Sequence, residues 1–545
     1  MEKTKSTDMI TQHSIPSVIL VVAFCAMFGC QTTSPENRDA NIALKAQDNP
    51  DPPHRSKHYL PKTDSHYREV SGYIEDDPVP EYTWASEKAY EAFRDMKFGV
   101  RIHWGLYSIM IERAGFWPVL KYPHQEKQAY FDMYKTWNPV GFNAEEWMEL
   151  FAESGMKMFA FTTKHHEGFS MFDTKTRVKK RVNWIAPNGP VIEDCDLAYS
   201  IMETPFNRDV VKELCDAAHK RGIKIDLYFS HPDWYDADFR PYVWHPLQVP
   251  SSATLAVRGK ELTPEVQDGR DIRFGSAGPL IVSDPTPEEV DRMVKRHRTQ
   301  LTELLSNYGK IDMLCFDMWL GPSVWPQLRE TLLQLRKIQP DIMFRARGIG
   351  NYGDYYTPEG FVPGGKENTD VPWFVIYPLG SSFSYEPDPE KHKGAQWIIH
   401  TLIDCAAKGG NFMVGIGPNG NGEFHATAIE QLKQAGKWLH TNGEAIYGTR
   451  ACEDDLWKEG GRVRFTRTKD NKIIYAHCYE WPGEELVLRT VKAKPNTKVY
   501  LLGNELPLKW KYDATQGLII STPERLKNSI PENERLAFTF RIEPK

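Results

Sequence analysis

Short apolar runs alternate with amphipathic stretches between about residues 85 and 450. The predicted strands are Phe98–His103, Met158–Thr163, Ile223–Phe229, Ile311–Phe316, Ile342–Arg345 and Phe412–Ile416. The predicted helices between them include Asp209–Arg221, Pro287–Tyr308 and Val324–Ile338. Near-continuous apolar strands that alternate with helices are typical of a parallel sheet covered on both faces. A span of about 360 residues favours a (β/α)8-like barrel with insertions, and a doubly wound sheet is the competing α/β fold.

The pattern changes after residue 450, where short β-rich runs are separated by Gly, Pro and Asn. These runs are Arg462–Thr466, Lys472–His477, Glu485–Leu488 and Lys498–Leu502. Their spacing predicts a C-terminal antiparallel β-sandwich. We therefore expect four parts: a leader at 1–30, a tether and N-terminal extension at 31–84, the (β/α)8-like domain at 85–450 and the β-sandwich at 451–545.

The first thirty residues are predicted to be a leader rather than part of the fold. Lys3 and Lys5 precede the apolar run Val18–Phe28, which is too short to span a membrane as a helix. The run ends in Gly29-Cys30, which is similar to a bacterial lipobox, so Cys30 is a candidate for lipidation. Simple cleavage with loss of Cys30 is the alternative. Both interpretations predict export, to the periplasm or as an outer-membrane-anchored lipoprotein of a bacterium.

Composition excludes several classes of function. A formal net charge of −6 provides no basic field for nucleic acid. With 41% hydrophobic and 26% charged residues, the chain has ordinary globular usage and no signature of disorder. The cysteines form no CxxC pair and no zinc spacing, so those after the leader are predicted to be buried single thiols. An aromatic content of 12% suits both core packing and stacking on sugar rings, and composition alone does not decide between them.

Three of the predicted strands end in unusual polarity. His103 ends the first strand and Trp104 follows it, Lys164-His165-His166 follow the second, and Asp317 follows the fourth. Active-site residues of a (β/α)8 barrel lie at the carboxyl ends of its strands, so these side chains are expected to meet on one rim. For Asp317 alone, a helix N-cap or a structural salt bridge is the simpler interpretation. Three polar strand ends on one rim favour a functional site.

The adjacent histidines His165 and His166 raise the question of a metal site. Consecutive strand residues point to opposite faces, so ligation of one ion by both would need a local bend. Hydrogen bonding to a polyhydroxylated ligand fits the pair better, and one of the two has the alternative interpretation of a buried core histidine. The sequence contains no spacing that requires a metal or a cofactor.

Six segments carry a family resemblance. They are FGVRIHWGLYS, FTTKHHEGFSMFDT, RDVVKELCDAAHKRGIKIDLYFS, LLSNYGKIDMLCFD, GDYYTPE and GGNFMVGIGPNGNGEF, the last followed by NGEAIYGTR. In this order they resemble the α-L-fucosidases of glycoside hydrolase family 29, from about residue 85 to the C-terminus. The resemblance implies a (β/α)8-like catalytic domain, a C-terminal β-sandwich, an oligo- or polysaccharide substrate and retention of anomeric configuration through a covalent glycosyl-enzyme.

The resemblance also implies roles for individual residues. Asp317 matches the nucleophile, and in a retaining enzyme a second carboxyl group about 5–5.5 Å away protonates the leaving oxygen. Neutral imidazoles suit sugar recognition because each can donate and accept a hydrogen bond. The expected sugar contacts are His103, Trp104, Trp117, His165, His166, Tyr228, Trp319 and Arg347.

Two positions depart from the family pattern. Gly115-Phe116-Trp117 stands where many members have Gly-Glu-Trp, and Phe374 follows Trp373 where many have Trp-Glu. The acid/base is then expected elsewhere, and Glu359 in GDYYTPE is the predicted residue, with a helix-start role as its alternative. The rival carboxyl groups are Asp354, Glu367 and Asp370.

The sequence leaves three functions open. An exo-acting retaining α-L-fucosidase is the leading hypothesis. Phenylalanines in place of two carboxylates would alter the sugar pocket, so an exo-α-L-galactosidase acting on algal galactans is the second. L-Galactose differs from L-fucose only by a hydroxyl group on the exocyclic carbon. The third is a glycan-binding surface lipoprotein without catalysis, which the missing Trp-Glu pair motivates.

Overall fold

The computed structural model describes residues 70–110, 119–120, 122–240, 245–247, 285–358, 362, 371–453 and 456–543. The strands of the larger domain are β1 Phe98–Ile102, β2 Met158–Lys164, β3 Val178–Asn183, β4 Val191–Leu197, β5 Lys224–Ser230, β6 Met313–Asp317, β7 Met343–Phe344, β8 Phe374–Pro378 and β9 Asn411–Ile416. Seven of them form a parallel sheet in the order β7-β6-β5-β2-β1-β9-β8, and β3 pairs with β4 in a separate hairpin.

Two residues close this sheet into a ring. Tyr355 forms a parallel bridge with Arg345 beside β7, and Tyr356 forms one with Trp373 beside β8. The Tyr355–Tyr356 segment therefore occupies the eighth strand position. The predicted (β/α)8-like barrel is confirmed, and the competing doubly wound sheet is wrong.

The helices of the larger domain are α1 Glu87–Met96, α2 His124–Asp132, α3 Ala144–Glu153, α4 Val210–Arg221, α5 Pro287–Ser306, α6 Trp325–Ile338, α7 Ala395–Ala407 and α8 Ala426–Asn442. Helix α4 illustrates how local sequence sets these bounds. The Asp209 carboxylate accepts from the backbone N–H of Lys212 at 2.9 Å, and Gly222 ends the helix at φ +65°. The three helices predicted from sequence are confirmed to within about two residues at each end.

Helix α1 fills the N-terminal end of the barrel. Its Tyr90, Phe93 and Met96 pack in one buried cluster with residues at or near the starts of barrel strands. Phe374, the first residue of β8, belongs to this cluster and lies 6.0 Å from the ring of Phe93. The expectation that Phe374 replaces a carboxylate in the sugar pocket is therefore wrong. Trp373 immediately precedes β8 at the same end.

The C-terminal domain has two antiparallel sheets. Its elements are β10 Arg450–Ala451, β11 Lys458–Glu459, β12 Val463–Arg467, β13 Ile474–Cys478, β14 Glu485–Leu488, β15 Tyr500–Leu501, β16 Trp510–Asp513, β17 Gly517–Ser521, the short helix α9 Glu524–Asn528 and β18 Phe538–Ile542. One sheet has the order β10-β12-β13-β18-β15 with β11 on β12, and the other has the order β14-β17-β16. Phe465 and Phe540 of the first share a core with Leu488 and Ile520 of the second. The predicted sandwich is confirmed.

The described part of the predicted extension packs on the barrel from Val70 onward, and the Trp325 indole donates to Glu75 at 2.8 Å. The sandwich contacts the barrel through the Trp438 indole, which donates to the Ala537 carbonyl at 2.8 Å. Every cysteine in the described ranges is a free thiol, and Cys195 is half-buried. No helix within those ranges has the length and apolarity needed to cross a membrane. Cys30 and the rest of the leader lie outside the described residues.

Candidate active site

Five adjacent barrel strands deliver polar side chains to one end of the barrel. The strands are β1, β2, β5, β6 and β7, which are neighbours in the sheet. At or just beyond their carboxyl ends lie His103, His165, His166, Tyr228, Ser230, Asp317, Arg345 and Arg347. This is the rim on which the sequence predicted that polar strand ends would meet.

Asp317 is the last residue of β6, and 12% of its side chain is exposed. Oδ1 accepts a hydrogen bond from Arg347 Nη1 at 2.8 Å, with Arg345 Nη1 at 3.5 Å. Oδ2 accepts from the Tyr228 hydroxyl at 2.6 Å. Burial alone would raise the pKa of Asp317, but the two guanidinium groups, His166 and the Tyr228 hydrogen bond hold it well below its usual value. Asp317 is therefore an ionised, oriented carboxylate.

The backbone beyond Asp317 is held in an uncommon conformation. Met318 has φ +64°, a left-handed value that costs free energy for a residue with a side chain. Its N–H donates to Asp317 Oδ1 at 3.1 Å, and the Asp317 carbonyl accepts from the His231 N–H at 3.0 Å. Gly348 lies so close that a Cβ there would be 2.0 Å from the Met318 carbonyl oxygen. A tight backbone contact thus fixes the position of the carboxylate.

The two adjacent histidines both reach this site. His166 Nδ1 is 2.6 Å from Ser230 Oγ, and its Nε2 is 3.8 Å from Asp317 Oδ2. The His165 ring stacks on Tyr228 at 4.9 Å between centroids. Burial and the neighbouring histidines lower the pKa of His165 well below its usual value, so this ring is neutral at pH 7. No group of three or more His, Cys, Asp or Glu in the described residues is arranged to hold a metal ion.

His103 completes the histidine group. Its ring centroid is 6.0 Å from that of His165 and 6.3 Å from that of Tyr228. The His103 ring also stacks on Phe383, which lies in the loop after β8, with 4.9 Å between the two ring centroids. Sequence reasoning did not identify Phe383.

A layer of charge inside the barrel adjoins the carboxylate. Arg101 Nη2 lies 3.4 Å from Asp226 Oδ2 and 3.0 Å from the Cys315 sulfur. Arg345 Nη1 lies 3.4 Å from the same sulfur and 3.5 Å from Asp317. Burial raises the pKa of Asp226 to about 6, although Arg101 and Arg345 oppose that rise. Through these contacts, groups inside the barrel hold the Arg345 side chain in place beside Asp317.

Glu167 is a second buried carboxyl group near the histidines. Its Oε2 is 3.9 Å from His165 Nδ1, and the residue is 1% exposed. Burial, with a smaller contribution from Asp233, raises the pKa of Glu167 to about 8 against the opposing charge of Lys164. The Glu167 carboxyl group is therefore mostly protonated at pH 7.

Trp104 is a core residue, which corrects its predicted role as a sugar contact. Its ring is fully buried among Trp137, Phe142 and Trp147, with centroids 5.2–5.4 Å away, and its N–H donates to the Asn419 carbonyl. The reason is the alternation of side chains along an extended chain, which turns Trp104 away from the face that its neighbour occupies.

The remaining predicted residues divide into three groups. Trp319 is half-buried, two residues beyond Asp317. Asp354, a rival acid, is wrong for that role because four groups hold its fully buried carboxylate, namely the Ala85 and Phe344 N–H groups, the Tyr90 hydroxyl and Arg336. The other predicted residues lie outside the described ranges: Phe116, Trp117, Glu359, Glu367 and Asp370.

Sequence reasoning missed Ser230 and Arg345. The sequence does contain a pattern that points to both residues, namely a spacing of two residues from a predicted site residue. Ser230 lies two residues after Tyr228, and Arg345 lies two residues before Arg347. Residues i and i+2 of a strand share a face, so a polar partner at this spacing belongs to the same site.

Comparison with known proteins identifies one family over both domains. A family model described as "Alpha-L-fucosidase" matches residues 74–444, and one described as "Alpha-L-fucosidase C-terminal domain" matches 458–543. Plasma α-L-fucosidase of Pongo abelii is 26% identical over 475 residues, which cover 82% of this chain and 90% of the relative. Tissue α-L-fucosidase of Homo sapiens is 26% identical over 476 residues, which cover 83% and 88%.

Solved structures share the fold. α-L-Fucosidase isoenzyme 1 from Paenibacillus thiaminolyticus aligns with a TM-score of 0.66 at 22% identity, covering 84% of this chain and 99% of that one. A GH29 α-L-fucosidase from Bacteroides thetaiotaomicron, trapped as a covalent intermediate, aligns with a TM-score of 0.64 at 21% identity, covering 86% and 100%. At these identities the structural likeness establishes the architecture alone.

Proposed function

Because the chain belongs to the α-L-fucosidase family, glycoside hydrolase family 29, we propose that it hydrolyses terminal α-L-fucosyl residues of oligo- or polysaccharides with retention of configuration. The observation that carries the proposal is Asp317, an ionised carboxylate at a barrel strand end, held by Arg347 and Tyr228 beside neutral imidazole. The Bacteroides relative trapped as a covalent intermediate supports a two-step course.

In the proposed reaction Asp317 attacks the anomeric carbon and forms a glycosyl ester. Arg347 and Tyr228 occupy one carboxylate oxygen each, so the carboxylate cannot rotate away from its line of attack. Its low pKa keeps it deprotonated over the working range, as a nucleophile requires. As Asp317 attacks and the glycosidic bond breaks, an acid/base protonates the leaving oxygen, and it later deprotonates the attacking water. We assign this role to Glu359, on the sequence resemblance.

Sugar recognition is assigned to the histidine group. A neutral imidazole donates from one nitrogen and accepts at the other, which matches a hydroxyl group that also does both. His165 is such a ring, and His103 and His166 lie beside it at the approach to Asp317. A ring of hydroxyl groups can be bound in this way without a metal ion.

Hydrolysis of an aryl α-L-fucoside by the purified protein tests the proposal. Asp317→Gly should abolish turnover, and added azide should restore it with formation of the β-L-fucosyl azide, because azide then attacks from the nucleophile's side. Glu359→Ala should be rescued by azide to the α-azide instead. Asp312→Asn is the matched control, since Asp312 is half-buried outside the rim and bonds Lys224 at 3.1 Å. It should retain wild-type turnover.

Two outcomes would replace the proposal. Preferential hydrolysis of the aryl α-L-galactoside would identify the alternative glycosidase. The displacement of Phe374 from the site removes one of the two reasons for that alternative. Binding of L-fucose by calorimetry without turnover of any aryl α-L-glycoside would identify a glycan-binding protein.

We further propose that the mature protein is exported and attached to the membrane by a lipid at Cys30, on the strength of the leader sequence. Expression in a bacterial host with a labelled fatty acid should label the wild type and leave Cys30→Ser unlabelled. Cys25→Ser is the matched control and should remain labelled. Equal labelling of all three proteins, or of none, would contradict the anchor.

A further inference from the structure

A chain of three hydrogen bonds runs from His166 to the proposed nucleophile. His166 Nδ1 is 2.6 Å from Ser230 Oγ, which is 3.0 Å from the Tyr228 hydroxyl, which is 2.6 Å from Asp317 Oδ2. Ser230 and Tyr228 are two residues apart on β5, so their side chains share a face. Register places Ser230 opposite Asp317 on β6. Ser230 is fully buried and has no role in the mechanism proposed above.

The direction of every bond in this chain is determined by its Asp317 end. Asp317 is ionised and can only accept, so the Tyr228 hydroxyl donates its single proton to Oδ2. Burial raises the pKa of Tyr228 well above its usual value, so that proton is present. The Tyr228 oxygen must then accept from Ser230. Because the Ser230 hydroxyl donates its only proton to the Tyr228 oxygen, Ser230 Oγ must accept a hydrogen bond from His166 Nδ1.

We propose that Ser230 is a positioning residue that keeps a proton on His166 Nδ1 and directs the Tyr228 proton to Asp317 Oδ2. The inference rests on the proposed function, because it concerns the same site. His166 Nε2 lies 3.8 Å from Asp317 Oδ2, too far for a direct hydrogen bond.

The adjacent histidine carries no proton on Nδ1. The backbone N–H of His166 donates to His165 Nδ1 at 2.7 Å, so the proton of the neutral His165 ring lies on Nε2. The two ring centroids are 4.4 Å apart. The hydrogen bonds of the two rings thus require a proton on Nδ1 of His166 and none on Nδ1 of His165.

The chain also acts on the nucleophile. A hydroxyl that accepts a hydrogen bond becomes a better donor, so the Ser230 bond strengthens the Tyr228 bond to Asp317. Removal of the Ser230 hydroxyl should therefore raise the pKa of Asp317. The titratable or charged groups that face Asp317 from the elements around it are His165, His166, Tyr228, His231, Arg345 and Arg347. Ser230→Ala removes none of these groups.

The test compares Ser230→Ala with Thr163→Val in the full-length protein. Thr163 is the matched control because it is equally buried, and its hydroxyl donates to the Tyr228 backbone carbonyl at 2.7 Å without joining the chain. Long-range ¹H–¹⁵N spectra of ¹⁵N-histidine-labelled protein report each ring's tautomer, and His166→Gln identifies the His166 signals. We expect Nδ1–H for His166 and Nε2–H for His165 in the wild type and in Thr163→Val. Ser230→Ala should lose the Nδ1–H signature at His166.

Kinetics supply the second readout. Loss of one hydrogen bond should lower kcat/KM for an aryl α-L-fucoside about tenfold, and the acid limb of its pH profile should move to higher pH. Thr163→Val should leave kcat/KM within about twofold of wild type and the profile unmoved. If Ser230→Ala does not fold, Ser230→Cys, a weaker donor, should shift the acid limb by a smaller amount in the same direction.

An Nε2–H tautomer of His166 in the wild type would overturn the proposal, whether or not the protein turns over a substrate. Equal kinetic effects of Ser230→Ala and Thr163→Val would also overturn it. Absence of fucosidase activity in the wild type, with the expected tautomers present, would instead contradict the proposed function and leave the hydrogen-bond chain standing.

Discussion

Gly348→Ala tests whether the backbone contact beneath Asp317 controls catalysis. Gly348 has φ +78°, and a Cβ there would lie 2.0 Å from the Met318 carbonyl oxygen and 2.9 Å from His231 Cδ2. Neither neighbour is the free end of a flexible side chain. One is backbone, and the other is a buried ring whose Nδ1 lies 3.0 Å from His297 Nε2. Relief of the clash must therefore move the peptide next to Asp317.

The size of the effect follows from these distances. A Cβ at φ +78° costs about 1–2 kcal/mol, and overpacking adds about 1–3 kcal/mol, so the free energy of unfolding should fall by about 2–5 kcal/mol. The shortest distance that real Cβ atoms tolerate is about 3 Å. The contact must therefore open from 2.0 Å, which moves the Met318 carbonyl by about 1 Å. Misplacement of a catalytic group by about 1 Å costs about a hundredfold in rate.

The assay is kcat/KM for an aryl α-L-fucoside, with urea unfolding of the same samples. Gly222→Ala is the matched control, because Gly222 has a similar φ of +65° and nothing lies within 4 Å of its added Cβ. Its free energy of unfolding should fall by about 1–2 kcal/mol, from the left-handed φ alone, and its kcat/KM should stay at the wild-type value. The reasoning is refuted if folded Gly348→Ala retains kcat/KM within threefold of Gly222→Ala.

Three further substitutions separate structural from catalytic residues. Trp104→Ala should lower the free energy of unfolding by about 3–5 kcal/mol in urea titrations, with KM of the folded fraction unchanged, whereas a sugar contact would raise KM. Asp354→Asn should leave the buried Arg336 guanidinium without its counter-charge and cost about 3–5 kcal/mol, with kcat of the folded fraction unchanged and no azide rescue. Glu167 has a folded pKa of about 8 against about 4.3 unfolded, so stability should fall as pH rises between these values. Glu167→Gln should flatten that fall in melting temperatures measured at pH 5, 7 and 9, and an unchanged slope would contradict the assignment.

The strand cores and the polar strand ends could be predicted because they depend on local pattern. The apolar run before Asp317 and the polar residue at its end are visible in one stretch of sequence. Strand β8 was missed because its run is short and ends in Tyr377-Pro378, which interrupts the apolar pattern. The family resemblance placed Phe374 in the sugar pocket, whereas Phe374 begins β8 and lies at the opposite end of the barrel.

The contacts within the site could not be predicted because they depend on register and on backbone strain. Ser230 faces Asp317 only through the alignment of β5 with β6, which no single segment encodes. The left-handed Met318 is stabilised by Gly348, thirty positions along the chain. By contrast, the two-residue period of an extended chain predicts that His103 faces into the barrel and Trp104 faces out of it. The family resemblance nevertheless led to the prediction that both residues contact the sugar.

Helix α1 fills the N-terminal end of the barrel, and this has a consequence for the fate of the glycosyl ester. With a floor of Tyr90, Phe93 and Met96 below it, the pocket around Asp317 exchanges molecules through its opposite end. In the proposed two-step reaction the aglycone must leave by that opening before water takes its place. Any alcohol that enters by the same opening competes with water for the sugar. In the proposed reaction, the partition between hydrolysis and transglycosylation would then depend on which acceptors enter by that opening.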